Sequence, residues 1–257
     1  MTIYHESVGS GVPVLFIHAG IADSRMWDPQ FESVPEGFRY VRLDLRGSGN
    51  SNFDGTTYAN HDDVLSLMDH LSIESAIVVG CSMGGDTALE IAETAAGRAS
   101  GLVLIGASAP EFKPPEDDFE PPQWSEAVAA QQRGDEERVA ELEAEMWMVG
   151  YGRTVEDVDR NLIEFVIEMN RLPAASGRRR EEVRAKPDLK SVTGLDVPTL
   201  VVVGEHDYRD LRAASEFLAQ QLSDRGPVVI EGAAHLPSLE QPEIFNRALE
   251  DFLSGLR

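Results

Sequence analysis

The stretch Ala76-Ile-Val-Val-Gly-Cys-Ser-Met-Gly-Gly-Asp-Thr-Ala-Leu-Glu90 carries the strongest chemical signal in this chain. It sets Gly80-x-Ser82-x-Gly84 between a short apolar run and a helix-forming segment, the context that makes this pentapeptide a nucleophile elbow. A serine at so tight a strand-to-helix turn stands exposed above the sheet on strained backbone. Small residues are needed at 80 and 84 because the strand and the helix close on each other there. The start of the helix offers N–H groups, that of Met83 among them, to negative charge developing on a substrate oxygen. Two rival readings are an ordinary glycine turn with an incidental serine and a phosphate cradle on Gly80-x-x-x-Gly84-Gly85. The cradle lacks both the Gly-x-Gly start and the Gly-Lys-Ser/Thr ending that phosphate loops use. Cys81, one position from the nucleophile, reads as a small buried hydrophobe.

Positioning such a serine requires a sheet, and the sequence supplies one. Val14–Ile17, Tyr40–Leu43, Ala76–Val79 and Leu102–Ile105 are short apolar runs bounded by Gly, Pro, Asp or His. They suit strands buried on both faces of a parallel sheet. Ile3–Val8 is expected as an antiparallel edge strand. Amphipathic segments lie between the runs: Asp62–Leu71, with Val64, Leu67, Met68 and Leu71 on one face, and Thr87–Ala95, with Ala88, Leu89, Ile91 and Ala92 inward. From Ala109 to Pro122 the chain turns proline- and acid-rich and reads as a linker. Helices are expected over Trp124–Arg133, Glu136–Val149, Val155–Asn170 and Gly177–Ala185. The strand rhythm returns with Pro198–Val203, a helix over Leu211–Leu222 capped by Asp210, a strand at Val228–Ile230 and a helix over Pro242–Leu253. The expected architecture is α/β: residues 1–109 and 191–257 form the core and residues 110–190 a helical cap. Alternating units force a parallel sheet, and its ligands gather at the carboxyl ends of the strands.

Composition narrows the classes of function. The 257 residues hold 45 acidic against 22 basic side chains, a formal charge of −23 that repels phosphate backbones and anionic membranes. One cysteine excludes an internal disulfide and a multi-cysteine metal site. No apolar run reaches the length of a membrane span, and the N-terminus carries no basic-then-apolar leader. The expectation is a cytoplasmic protein, monomer or homodimer, acting on a small molecule with no nucleic acid, membrane, metal or cofactor involved.

The elbow and its surroundings resemble the α/β-hydrolase superfamily along nearly the whole chain. Phe16-Ile-His-Ala-Gly-Ile21 resembles that family's His-Gly oxyanion loop, with the departure that His18 is followed by Ala19. Asp44-Leu-Arg-Gly-Ser-Gly-Asn-Ser51 resembles its Asp-x-Arg-Gly-x-Gly-x-Ser loop. Gly204-Glu-His-Asp207 and Gly232-Ala-Ala-His-Leu-Pro237 resemble its acid and histidine loops. The resemblance implies that the backbone N–H of Gly20 joins that of Met83 in an oxyanion hole.

Ser82 needs a base, and histidine titrates nearest neutral pH. Of six histidines, His5 lies on an edge strand, His61 and His70 on a helix facing solvent, and His18 in the oxyanion loop, bracing it. His206 adjoins Asp207 in sequence and so points away from it. His235, in a loop between the last strand and the last helix, remains. Asp207 is the preferred carboxylate to orient it, with Glu205 and Asp210 as alternatives, and the order Ser82, Asp207, His235 is the one this superfamily uses. Asp44 and Arg46 read as structural. Trp27, with Met26 beside it, and Met146 and Trp147 from the cap are the expected substrate contacts, whereas Arg178-Arg179-Arg180 reads as a solvated helix face. The resemblance implies a cofactor-independent serine hydrolase cleaving a small or medium ester or lactone. Carbon–carbon bond hydrolysis on the same triad is one alternative, and a non-hydrolytic ligand-binding or cyclase role is the other.

Overall fold

The structure, a computed structural model, describes residues 3–53, 55–113, 121–171, 183, 192–223 and 225–256. Seven strands form one sheet: β1 (His5–Gly9), β2 (Val12–Ile17), β3 (Phe38–Leu43), β4 (Ala76–Cys81), β5 (Ala99–Ile105), β6 (Thr199–Gly204) and β7 (Val228–Ile230). Their spatial order is β1-β3-β2-β4-β5-β6-β7. The edge strand β1 runs antiparallel to β3 and every other pairing is parallel. Helices α1 (Asp28–Phe31), α2 (Asn60–His70), α3 (Met83–Thr94), α4 (Trp124–Arg133), α5 (Glu136–Val149), α6 (Arg160–Arg171), α7 (Arg209–Leu222), α8 (Pro237–Glu240) and α9 (Pro242–Gly255) complete the described elements.

The apolar runs are strands because alternate side chains find a core on each face. Val14, Phe16, Ile77, Val79, Cys81, Val103 and Ile105 enter one cluster, closed by Phe245, Leu249 and Leu253 of α9. Leu15, Ile17, Val78, Leu102 and Leu104 enter the other, closed by α2, α3 and α7 through Val64, Met68, Leu89, Ile91 and Leu218. Helices α4–α6 leave the sheet between β5 and β6, and Met148, Ile163, Val166 and Met169 anchor this insert on the first cluster.

Several boundaries differ from the sequence reading for identifiable reasons. Helix α3 begins at Met83, as the elbow requires, although its apolar period is visible only from Thr87, because Gly84 and Gly85 carry none. The single helix expected over Val155–Asn170 is broken. A 3-10 turn at Val155–Asp157, capped by Thr154, ends at Val158, whose extended backbone (φ −121°, ψ 141°) resets the direction before α6. Asp210 is not the N-cap of α7: Tyr208 holds that position and Asp210 lies in the first turn, where its charge still favours the helix dipole. The helix expected over Gly177–Ala185 and the cluster Arg178–Arg180 fall outside the described residues, apart from Val183. Among the described residues no helix is long and apolar enough to cross a membrane.

Candidate active site

The elbow has the predicted geometry. Ser82 adopts φ +52°, ψ −118°, outside the favoured wells of an L-residue, with β4 before it and α3 after it. Its N–H donates to the carbonyl of Ile105 at 2.7 Å and its carbonyl accepts from Asp86 at 2.9 Å, so the strained residue is fixed on both sides. The glycines answer to close approach. A Cβ on Gly80 would lie 2.1 Å from the carbonyl oxygen of Gly84, and one on Gly84 would lie 2.3 Å from that of Ile17.

The loops that carry Asp207 and His235 meet at the same sheet edge. Nδ1 of His235 lies 2.9 and 3.1 Å from the two carboxylate oxygens of Asp207, and both side chains are buried. A ring nitrogen facing a carboxylate at that distance carries the proton and donates it, which leaves Nε2 as the acceptor. Asp207 also accepts the N–H of Tyr208 at 2.9 Å. Burial pulls the imidazole pKa down, but the charge and hydrogen bond of Asp207, with Glu240 and Asp210 behind, outweigh it and hold His235 above the usual histidine value. Glu205 instead accepts the N–H of Gly232.

Neighbouring strand ends carry the serine and the glycine that packs on this pair. Cys81 on β4 is in register with Ile105 on β5, so Ser82 and Gly106 are the residues that follow from adjacent strand ends. Gly106 has φ +53°, and a Cβ there would sit 3.0 Å from Cε1 of His235 and 3.1 Å from Asp207 Oδ2. The Sγ of Cys81 lies 3.5 Å from the carbonyl oxygen of His235. Burial pushes its thiol well above the ordinary range, consistent with a packing residue rather than a nucleophile.

The loop after β2 abuts the elbow through the Ile17–Gly84 approach. His18, fully buried, accepts the N–H of Leu45 on Nε2 (2.9 Å), so Nδ1 carries the proton and donates to the carbonyl of Ala19 at 2.8 Å. One imidazole thereby ties the loop containing Gly20 to the loop at Asp44. Asp44 is buried and accepts the N–H groups of Ser24 and Asn50, each at 2.7 Å. Arg46 pairs with Asp63 and lies over the ring of Tyr58. These contacts brace the loop that follows β3.

A family model described as alpha/beta hydrolase fold matches residues 12–242. The chain belongs to the α/β-hydrolase family. It is 27% identical over 247 residues to 3-oxoadipate enol-lactonase 1 of Acinetobacter baylyi, covering 95% of this chain and 89% of that one. A thermophilic esterase from Thermogutta terrifontis superposes with TM-score 0.80 at 28% identity, covering 99% and 93% of the two chains. The enol-lactonase from Burkholderia xenovorans gives TM-score 0.76 at 25% identity, covering 98% and 96%.

The departure of this α/β-hydrolase at Ala19 is accommodated. Positive φ occurs among its described non-glycine residues only at Ser72, Ser82 and Glu111. Position 19 therefore does not require glycine, its methyl is buried, and its N–H points to Sδ of Met26 at 3.3 Å. Of the expected substrate contacts, only Trp147 reaches the acid–base pair. Its ring stacks on the imidazole of His235 (centroids 4.5 Å apart, planes at 34°), and its carbonyl accepts the N–H of His235 at 3.2 Å. Trp27 is instead fully buried in the core against Phe16 and Phe245, and Met26 is buried beside it. Met146 packs with Ala127 and Leu142 of the insert and against Tyr208 beside Asp207.

His61 does not face solvent: it pairs with buried Glu90 at 3.1 Å. Sequence reasoning missed Gly106, Arg153 and Glu240. The positive φ of Gly106 and its approach to His235 have no local sequence signal. The position of Glu240, five residues after His235, could have been noticed as a carboxylate within reach of the histidine loop. Among the described residues no group of three metal-ligating side chains comes together.

Proposed function

We propose that this α/β-hydrolase is a serine hydrolase that needs no cofactor and cleaves a small or medium carboxylic ester or lactone by acyl transfer. The observation that carries the reading is the buried Asp207–His235 pair at 2.9 Å at the strand ends where the strained Ser82 emerges. In this reading Ser82 Oγ attacks the carbonyl carbon as Nε2 of His235 takes its proton. The imidazolium that forms is stabilised by Asp207, which stays ionised. The oxyanion is held by the N–H of Met83, on the first turn of α3, together with that of Gly20. Collapse expels the alkoxide or enolate, protonated by His235, and water then releases the acyl group by the same steps in reverse.

Residues 110–190 act as a cap over a core of residues 1–109 and 191–257, and Trp147 supplies an apolar wall beside the base. The similarity to an esterase and to two enol-lactonases supports ester and lactone carbonyls as substrates. The test is a panel of esters and lactones of graded acyl length, run on the wild type, Ser82→Ala and His235→Ala. Turnover of a panel member that both variants lose while staying folded is the expected outcome. Full rate in His235→Ala would overturn the assignment of the base. Ligand binding without turnover would assign the fold a non-hydrolytic role, and cleavage of carbon–carbon substrates alone would replace the ester reading.

A further inference from the structure

Arg153 and Glu240 form a buried ion pair (3.0 Å, side chains 9% and 4% exposed) that the catalytic scheme does not use. Its connections converge on the base. Glu240 accepts the N–H groups of Ala234 (2.9 Å) and Leu236 (3.3 Å), the residues on either side of His235. The guanidinium of Arg153 donates to the carbonyls of Met148 (2.6 Å) and Val149 (2.8 Å), which close the C-terminus of α5. It also donates to Gly232 (2.8 Å), at the start of the histidine loop. A cation at a helix C-terminus meets the negative end of the dipole and the last, otherwise orphaned carbonyls.

The end of α5 is wedged between the acid and base loops by other contacts as well. Tyr208, next to Asp207, donates its hydroxyl to the carbonyl of Met146 at 2.9 Å. Tyr151 donates its N–H to the carbonyl of His206 at 2.7 Å. Gly150 packs so closely that a Cβ there would lie 2.2 Å from the same carbonyl oxygen. Trp147, one turn back, stacks on the imidazole itself.

We propose that Arg153 and Glu240 are positioning residues for His235, and that through them the base is held in register only while the end of α5 is docked on the histidine loop. This rests on His235 being the base. The pair fixes the backbone on both sides of the imidazole and binds that loop to the helix whose tryptophan covers the ring. Docking of the end of α5 and competence of the base are then one structural state.

The test compares Glu240→Gln, Arg153→Met and the double variant with the wild type, on whichever ester or lactone the wild type turns over. Loss of one partner leaves the other buried and uncompensated, so Arg153→Met lowers Tm sharply, whereas the double variant removes both charges and recovers much of the Tm. Since displacement of a catalytic group by about 1 Å costs about 10²-fold in rate, a shift of a fraction of an ångström costs roughly 10-fold. The expected result is a kcat reduced by about that factor in Glu240→Gln and in the double variant, with KM within about 2-fold of wild type. Hydrogen exchange quickens at Ala234 and Leu236 and at the end of α5 together.

The charged side chains acting on the imidazole are Asp207, Glu240 and Asp210, all acidic, with the guanidinium of Arg153 paired to Glu240 behind them; the Cys81 thiol, Gly106 and the Trp147 ring also pack near it. Removing the charge of Glu240 therefore moves the acid limb of kcat/KM to lower pH. Glu168→Gln, which breaks only the exposed contact from Arg25 to α6, leaves kcat and the acid limb unchanged. A double variant whose kcat recovers along with its Tm would reduce the pair to a purely structural role and overturn the proposal. So would Glu240→Gln with wild-type kcat and an unmoved acid limb. A wild type with no turnover on any panel substrate would instead defeat the hydrolase reading itself, and the two failures are distinct.

Discussion

Replacing Gly106 by alanine is a sharp probe of how closely the acid–base pair is packed. Position 106 sits at φ +53°, and the added methyl would lie 3.0 Å from Cε1 and 3.1 Å from Nδ1 of His235, and 3.1 Å from Asp207 Oδ2. Two effects follow. An L-side chain in the left-handed region costs roughly 1–2 kcal/mol, and in a chain of this size each kcal/mol lowers Tm by about 2–4 °C, so Tm should fall by about 2–8 °C. Relief of contacts so short moves the imidazole by a few tenths of an ångström, and since misplacement by about 1 Å costs about 10²-fold, a loss near 10-fold in kcat is expected. The methyl bears on His235 and Asp207, so the expected effect falls on kcat, with KM within about 2-fold. Steady-state kinetics on a turned-over ester, with calorimetry on the same sample, separates the two. A lower Tm with an unchanged kcat would refute the reasoning, because it would mean that the Asp207–His235 geometry does not govern the rate.

Asp207→Asn keeps the shape of the acid but presents an amide that no longer holds the proton on Nδ1. The expected loss in kcat is about 10⁴-fold with the fold retained by circular dichroism, and a loss below 10-fold would shift the role of acid to another carboxylate. The pH profile follows from the raised pKa of His235. The base works only when neutral, so kcat/KM should rise with pH through an apparent pKa above the usual value of about 6.5. An acid limb below that value would show that Asp207 and Glu240 do not outweigh burial. Gly84→Ala directs a Cβ to 2.3 Å from the carbonyl oxygen of Ile17, backbone that cannot yield as a side chain can. Denaturant unfolding should show a loss at or above the 1–3 kcal/mol typical of overpacking (about 3 kcal/mol or more), and a loss below about 1 kcal/mol would mean that the elbow is more pliable than its packing indicates.

The parts legible in the sequence were those whose cause is local. Strand β4 shows as an apolar run because both its faces are buried, and the elbow shows because Gly80 is required by its approach to Gly84 and Gly85 a few residues on, whereas the approach of Gly84 to Ile17 is long-range and leaves its trace only as the glycine itself. Helices α4 and α5 were found to the residue because their apolar stripe and their ends, at Gly134 and Gly150, coincide. Val158 was misread because apolar periodicity runs on across it while the backbone extends. His61 reads as solvent-facing because its partner Glu90 is on the next helix, and the full burial of Trp27 against Phe16 and Phe245 has no local signal, because a core tryptophan and a pocket tryptophan share one sequence signature. The pairing of Arg153 with Glu240 spans 87 residues, and nothing in either neighbourhood announces it.

The central claim is that Ser82 Oγ is a nucleophile activated by His235. Treatment with a fluorophosphonate, followed by peptide mass spectrometry, tests it most directly. The expected result is a single adduct on Ser82, absent in Ser82→Ala and formed far more slowly in His235→Ala. No adduct on Ser82, or labelling at an unchanged rate without the imidazole, would contradict it.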